Sequence, residues 1–188
     1  MKKHLLAAAI VLSFTAAAHA APCDTTTDEN ASTPLLYSAR EGNMQNVRCL
    51  LDAGENVNAA DKNGSSALMF AAGKGHTDLV RLLIDKGANV GATDTIGDTP
   101  LVSAASNGRT DTARLLIEKG ANVNTIDRDG WAPLMFAAGR GHADTVRLLL
   151  EKGAHINTVA RNDDTALSIA EKYGHAEIAQ ILRAAGAK

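Results

Sequence analysis

The sequence predicts an all-α repeat, a solenoid of about five helix–turn–helix units of 33 residues each. Three observations carry this. A block recurs at a fixed period: Gly64-Ser65-Ser66-Ala67-Leu68-Met69-Phe70-Ala71-Ala72-Gly73 returns two periods later as Gly130-Trp131-Ala132-Pro133-Leu134-Met135-Phe136-Ala137-Ala138-Gly139. Gly97-Asp98-Thr99-Pro100-Leu101 lies midway, and Asp164-Thr165-Ala166-Leu167 follows at the far end. Such a period marks units that bury their apolar faces on one another. Aromatic residues are only 3% of a chain that is 45% hydrophobic, which suits thin helices packed through Ala and Leu better than one large globule. Glycine closes the units at Gly87, Gly120, Gly153 and Gly186, each just past a run of core leucines, isoleucines or valines, where a left-handed cap would end a helix.

The chain starts with a different kind of segment. Lys2 and Lys3 precede an uncharged apolar stretch from Leu5 to Ala18, and Ala18-His19-Ala20 supplies small residues for cleavage after Ala20. The apolar run falls short of the ~20 residues that span a bilayer. A lipid anchor would need a small residue before Cys23, where Pro22 stands. Residues 1–20 thus read as a secretory signal peptide of bacterial type, directing a protein without further membrane insertion to the periplasm. Loss of the two lysines takes the net charge from −2 to about −4, which argues against nucleic acid or anionic lipid as a general partner. A polar arm, 21–27, leads into the repeats at 28–60, 61–93, 94–126, 127–159 and 160–188.

Within each unit the signals fall in the same order. A Gly-containing turn leads to a capping hydroxyl at Ser66, Thr99 or Thr165, with Pro100 and Pro133 in the first helical turn. Helix one runs from Ala67 to Gly73, with Leu68, Ala71 and Ala72 on its packed faces. Gly75-His76 breaks it, and helix two continues to Lys86 with Leu79, Val80, Leu82 and Leu83 at core spacing. The outer units carry polar residues suited to end caps: Gln45, Asn46 and Arg48 in the first, and Glu171, Lys172, Gln180 and Arg183 in the last.

Thr99-Pro100-Leu101, the Gly-His and Leu-Leu pairs and Gly120-Ala121-Asn122-Val123-Asn124 resemble the repeats of ankyrin proteins. The resemblance covers 28–188 and points to an exported bacterial ankyrin-repeat protein. It implies antiparallel helix pairs stacked in an L-shaped array, with turns projecting as fingers. It also implies protein binding through the fingers and the exposed face of helix one. One departure is systematic: the family's histidine after Pro-Leu is replaced by Leu36, Met69, Val102, Met135 and Ser168, which puts that residue's polar network in question. Methionine and leucine can substitute packing for it.

No catalytic constellation emerges. His76, His142 and His175 share one repeat position, so they would lie about 10 Å or more apart along the stack, too far for one metal whose ligands sit ~2 Å away. The histidines read as structural, with an uncommon metal role for His155, outside that row, as the alternative. Gly73-Lys74-Gly75 lacks the Ser/Thr and earlier glycine of a phosphate loop. Ser103, Ser106 and Ser168 lack a nucleophile-elbow context. Asp127, Asp129, Asp163 and Asp164 fall in turns that aspartate stabilises. No enzyme, metal or cofactor is expected.

Two cysteines remain after cleavage and would meet an oxidising compartment. A Cys23–Cys49 bridge would staple the arm over the first unit and stabilise it by about 3 kcal/mol in the entropic account. The alternatives are a buried, inert Cys49, in the slot of Leu82, Leu115 and Leu148, with a free Cys23, or an intermolecular link through Cys23.

Mapped residue by residue, the resemblance places Ile96, Arg128 and Trp131 on fingers, and Lys74, Asn107, Arg140 and Tyr173 at the ends of first helices. Trp131 occupies a slot filled elsewhere by Ser65, Asp98 and Asp164. An exposed tryptophan there suits a binding hot spot, with Ile96, Arg128 and Arg140 completing a mixed patch; packing on its own finger is the competing reading. Arg48, Arg81, Arg114 and Arg147 form a separate row, read as a solvated face with ion pairs inside each unit. The sequence thus suggests a monomeric, non-catalytic protein binder that scaffolds, inhibits or protects a periplasmic enzyme, including one of stress defence. The alternative is an envelope-protective structural protein of low selectivity.

Overall fold

The computed structural model describes residues 22–27 and 33–188; the segment read as a signal peptide and its cleavage site, with the start of the first unit, lie outside the described residues. Ten helices among the described residues form five successive pairs. They are α1 (Pro34–Glu41) with α2 (Met44–Asp52), α3 (Ala67–Lys74) with α4 (Thr77–Asp85), α5 (Pro100–Ser106) with α6 (Thr110–Glu118), α7 (Pro133–Gly139) with α8 (Ala143–Glu151), and α9 (Ala166–Lys172) with α10 (Ala176–Ala184). First helices pack on first helices along the stack, and second helices on second helices. Ala71, Ala72, Ala104, Ala105, Ala137 and Ala138 are completely buried, so backbones approach closely where a larger side chain would force them apart. Leu68, Leu101, Leu134 and Ile169 fill the interior between them.

The caps explain why the short helices begin where they do. Thr33, Ser66, Thr99 and Thr165 accept hydrogen bonds from the backbone N–H three residues on. Helix α7 starts at Pro133 behind Ala132, which has no side-chain cap. The slot that holds histidine in the family is now accounted for. Leu36, Met69, Val102 and Met135 are buried there, and Ser168 Oγ accepts from Thr165 N–H at 2.9 Å, closing a capping box.

Polar bonds between units come instead from the residue that opens helix two. His76 Nε2 meets the carbonyl oxygen of Arg40, His142 that of Ser106, and His175 that of Gly139, each at 3.1 Å. In the third unit Arg109 holds the slot and its Nε donates to Gly73 at 3.3 Å. These rings lie on the glycine that ends the preceding unit's first helix. A Cβ at Gly108 would come within 2.6 Å of His142, and its φ of +66° already disfavours a side chain.

The ends differ from the middle. Asn46, expected on a polar outer face, is buried. Its side chain accepts from Asp24 N–H and donates to the Asp24 carbonyl and to Ser38 Oγ, all at 2.8 Å. The arm therefore covers that face, and Cys23 and Cys49 form a disulfide with Cα atoms 5.6 Å apart. Cys49 is half-buried rather than a core residue. At the other end Asp163, at φ +63°, fills the slot of Gly64, Gly97 and Gly130. A Cβ at Gly64 or Gly97 would meet the next finger's Cα at 3.0 Å.

Candidate functional site

The fingers are built by one repeated device. Asp61, Asp94 and Asp127 each accept, through Oδ1, backbone N–H groups two and four residues ahead at 2.8–2.9 Å. Adjacent fingers are then tied by backbone bonds: Thr95 N to Asn63 O at 2.8 Å, Arg128 N to Ile96 O and Arg161 N to Asp129 O at 2.9 Å. The projecting turns thus form a connected sheet-like edge, rigid enough to present side chains without further ordering.

Trp131 is half-buried, packs against the core and sits 5.3 Å, centroid to centroid, from the Phe136 ring at an angle of 54°. Its slot is not the exposed polar position inferred from Ser65, Asp98 and Asp164, because all four residues are half-buried between finger and helix one. Trp131 nevertheless keeps one side open: with Phe136, Gly139, Arg140 and Tyr173 it lines a cavity of about 330 Å³. Tyr173 is 58% exposed, and the Lys172 ammonium lies 5.9 Å from its ring. Three of the sequence-marked residues, Trp131, Arg140 and Tyr173, therefore meet in one groove between the fourth and fifth units.

The others separate from it. Lys74 and Asn107 line a second cavity of about 320 Å³ between the second and third units, together with Phe70, Asp98, Val102 and Arg109. Asn107 is turned back onto Ser103 O at 2.8 Å. Ile96, 55% exposed, and Arg128 sit on finger tips and line neither cavity. Two exposed apolar residues escaped the sequence reading: Ile126 at 55% and Val159 at 57%. They occupy one repeat position, held by Ala60 and Thr93 in earlier units, and that switch to branched aliphatics was the available signal.

Asp98 is the electrostatic anomaly. Its Oδ1 is fully buried with no hydrogen-bond partner. Burial first, and then the Asp94 and Asp127 carboxylates, push its pKa up to about 6. Among the described residues, ion pairs run both between units, Lys86–Asp52 at 2.7 Å, Lys119–Asp85 at 3.5 Å, Arg114–Glu151 at 3.9 Å and Arg147–Glu177 at 2.7 Å, and within them, Arg40–Glu41, Arg147–Asp144, Lys152–Glu151 and Arg183–Glu171, so the expected pairing inside each unit holds only in part. These pairs lie at the surface, where solvent screens them, and each contributes little to stability.

No three His, Cys, Asp or Glu side chains among the described residues are placed to hold a metal ion. No helix among them is long and apolar enough to cross a membrane. A family model for ankyrin repeats matches the chain in three copies, over residues 5–94, 89–160 and 126–188. No curated protein matches the chain.

Proposed function

The chain belongs to the ankyrin-repeat family, whose repeats are protein–protein interaction modules, and from that premise we propose that it is a non-catalytic, exported binder of a periplasmic protein. The groove of Trp131, Phe136, Arg140 and Tyr173 carries this reading: it combines an aromatic wall, a free-standing guanidinium and an open cavity on a pre-ordered surface. Such residues dominate interface hot spots, and a rigid scaffold loses little entropy when it docks. The partner would insert an apolar side chain against Trp131, with an acidic neighbour meeting Arg140. Scaffolding, inhibition or protection of an enzyme, stress defence included, would all follow from such docking, and a monomer suffices for it. The basic, apolar, small-residue order of Lys2 to Ala20 supports export.

Affinity capture from the host periplasm tests the reading, with wild type, Tyr173→Ala and Arg140→Glu as parallel baits. Both substitutions alter exposed side chains, so the thermal melt should move little. A partner retained by wild type and lost at least fivefold by both variants is the expected outcome. Retention of nothing selective by a folded bait would favour the envelope-protective alternative.

A further inference from the structure

Between the second and third units lies a cavity that the Trp131 groove does not use. Asp98 is among its lining residues, and the Oδ1 of that carboxylate is buried without a hydrogen-bond partner. Phe70 and the buried Met69 and Val102 form apolar walls, while Lys74 and Arg109 stand at the exposed rim. We infer that this cavity receives a lysine or arginine side chain from the bound protein, its charged head on Asp98 and its stem along Phe70 and Met69. The inference deepens the protein-binding reading and rests on it.

Charge and shape both select a cation. The Asp98 side chain is half-buried and one of its carboxylate oxygens meets no donor, so the group gains more from an incoming cation than a fully solvated one would. The charges that bear on Asp98 are the carboxylates of Asp94 and Asp127, so its surroundings favour an incoming positive group. Phe70 can add attraction through its ring face, and the hydrocarbon stems of lysine and arginine are suited to apolar walls. Against this stand Lys74 and Arg109. Arg109 is engaged by its Nε with the Gly73 carbonyl, and both side chains are exposed, where solvent screens their repulsion. They also set a condition on the partner: an acidic residue beside the inserted base would meet Lys74.

The test is an amide-resolved NMR titration of the protein with acetyl-Gly-Arg-Gly-amide, and with the Gln tripeptide as the neutral control. We expect shifts centred on Phe70, Asp98 and Ser103, at least fivefold weaker binding to Asp98→Asn, and about twofold tighter binding to Lys74→Ala. Binding should also fade below pH 6, as Asp98 gains a proton among Asp94, Asp127, Lys74 and Arg109. Asp98→Asn removes a buried charge, so loss of fold is not its expected effect, and its spectrum reports this directly. Equal binding by Asp98→Asn, or equal shifts with the Gln tripeptide, would overturn the inference. So would tighter binding of spermidine at the same amides, which would make the cavity a small-cation site. Because the tripeptide probes the cavity directly, the result is independent of whether capture through the Trp131 groove succeeds.

Discussion

The junction between the second and third units and the junction between the third and fourth have the same backbone architecture but different bonding. At the later junction His142 binds the Ser106 carbonyl, while Asn124 donates to Gly153 O at 3.2 Å and accepts from His155 N at 2.7 Å. At the earlier one Arg109 replaces the histidine, and Gly91 stands where Asn124 would be, so the asparagine bracket is missing. The threonine pair persists at both, Thr77–Thr112 at 2.7 Å and Thr110–Thr145 at 2.8 Å. The junction with fewer specific bonds also holds Asp98, whose Oδ1 has no hydrogen-bond partner. In a solenoid, stability is close to a sum over neighbouring interfaces, so this junction depends more on its apolar packing and less on specific polar bonds. The difference teaches that a repeat can keep its packing while giving up polar bonds where a surface is left for other uses.

The largest expected effect lies outside both junctions and provides their control. Reducing Cys23–Cys49 should destabilise the protein by about 3 kcal/mol, read as a lower midpoint in urea. A thiol count of two on oxidised, unreduced protein would remove the bridge from the account altogether. Next, His142→Ala should cost about 1–2 kcal/mol, since it strands a carbonyl and leaves space over Gly108. Arg109→Ala should cost less than half as much, because its long side chain is exposed. Equal costs in denaturation would break the comparison.

Gly91→Asn sharpens it in the other direction. A Cβ there would meet only Asn89 Oδ1, at an ordinary 3.7 Å, and the position has no positive φ, so the asparagine can restore the missing bracket. We expect a gain of about 1 kcal/mol, from one hydrogen bond and a less flexible unfolded chain, with hydrogen exchange slowing across the second and third units. The smallest effect is electrostatic. Asp98 has a folded pKa of about 6, above the ordinary carboxylate value. Its ionisation therefore opposes folding at higher pH, and the relative stability it supplies is fully present below about pH 4 and lost as pH rises through 6. Asp98→Asn should stabilise by up to about 1 kcal/mol at pH 8, a modest figure because the side chain is only half-buried and solvent screens it. The gain should vanish by pH 4; a pH-independent difference would mean that charge is not its cause.

Much of the helix pattern was legible because repetition multiplies each weak signal. Ser66, Thr99 and Thr165 stand as caps where their spacing placed them, and helix two ended within a residue of Lys86. The candidate site was less so. Trp131 was visible as the odd residue in its row, but its contact with Phe136 depends on the angle between finger and helix, which periodicity does not encode. Asn46 reads as a surface residue in its own helix and becomes buried only because the arm folds over it.

The sequence by itself determined the unit, its two helices, its turns and the order of stacking, because caps, glycines and apolar spacing act over a few residues and recur every 33. The tertiary structure alone decided which residues from different units share a cavity. It grouped Trp131 with Arg140 and Tyr173, and separated them from Lys74 and Asn107. It also left the Oδ1 of Asp98 without a hydrogen-bond partner. Those outcomes depend on where a side chain meets the next repeat, and that contact is set by the geometry of stacking rather than by local propensity.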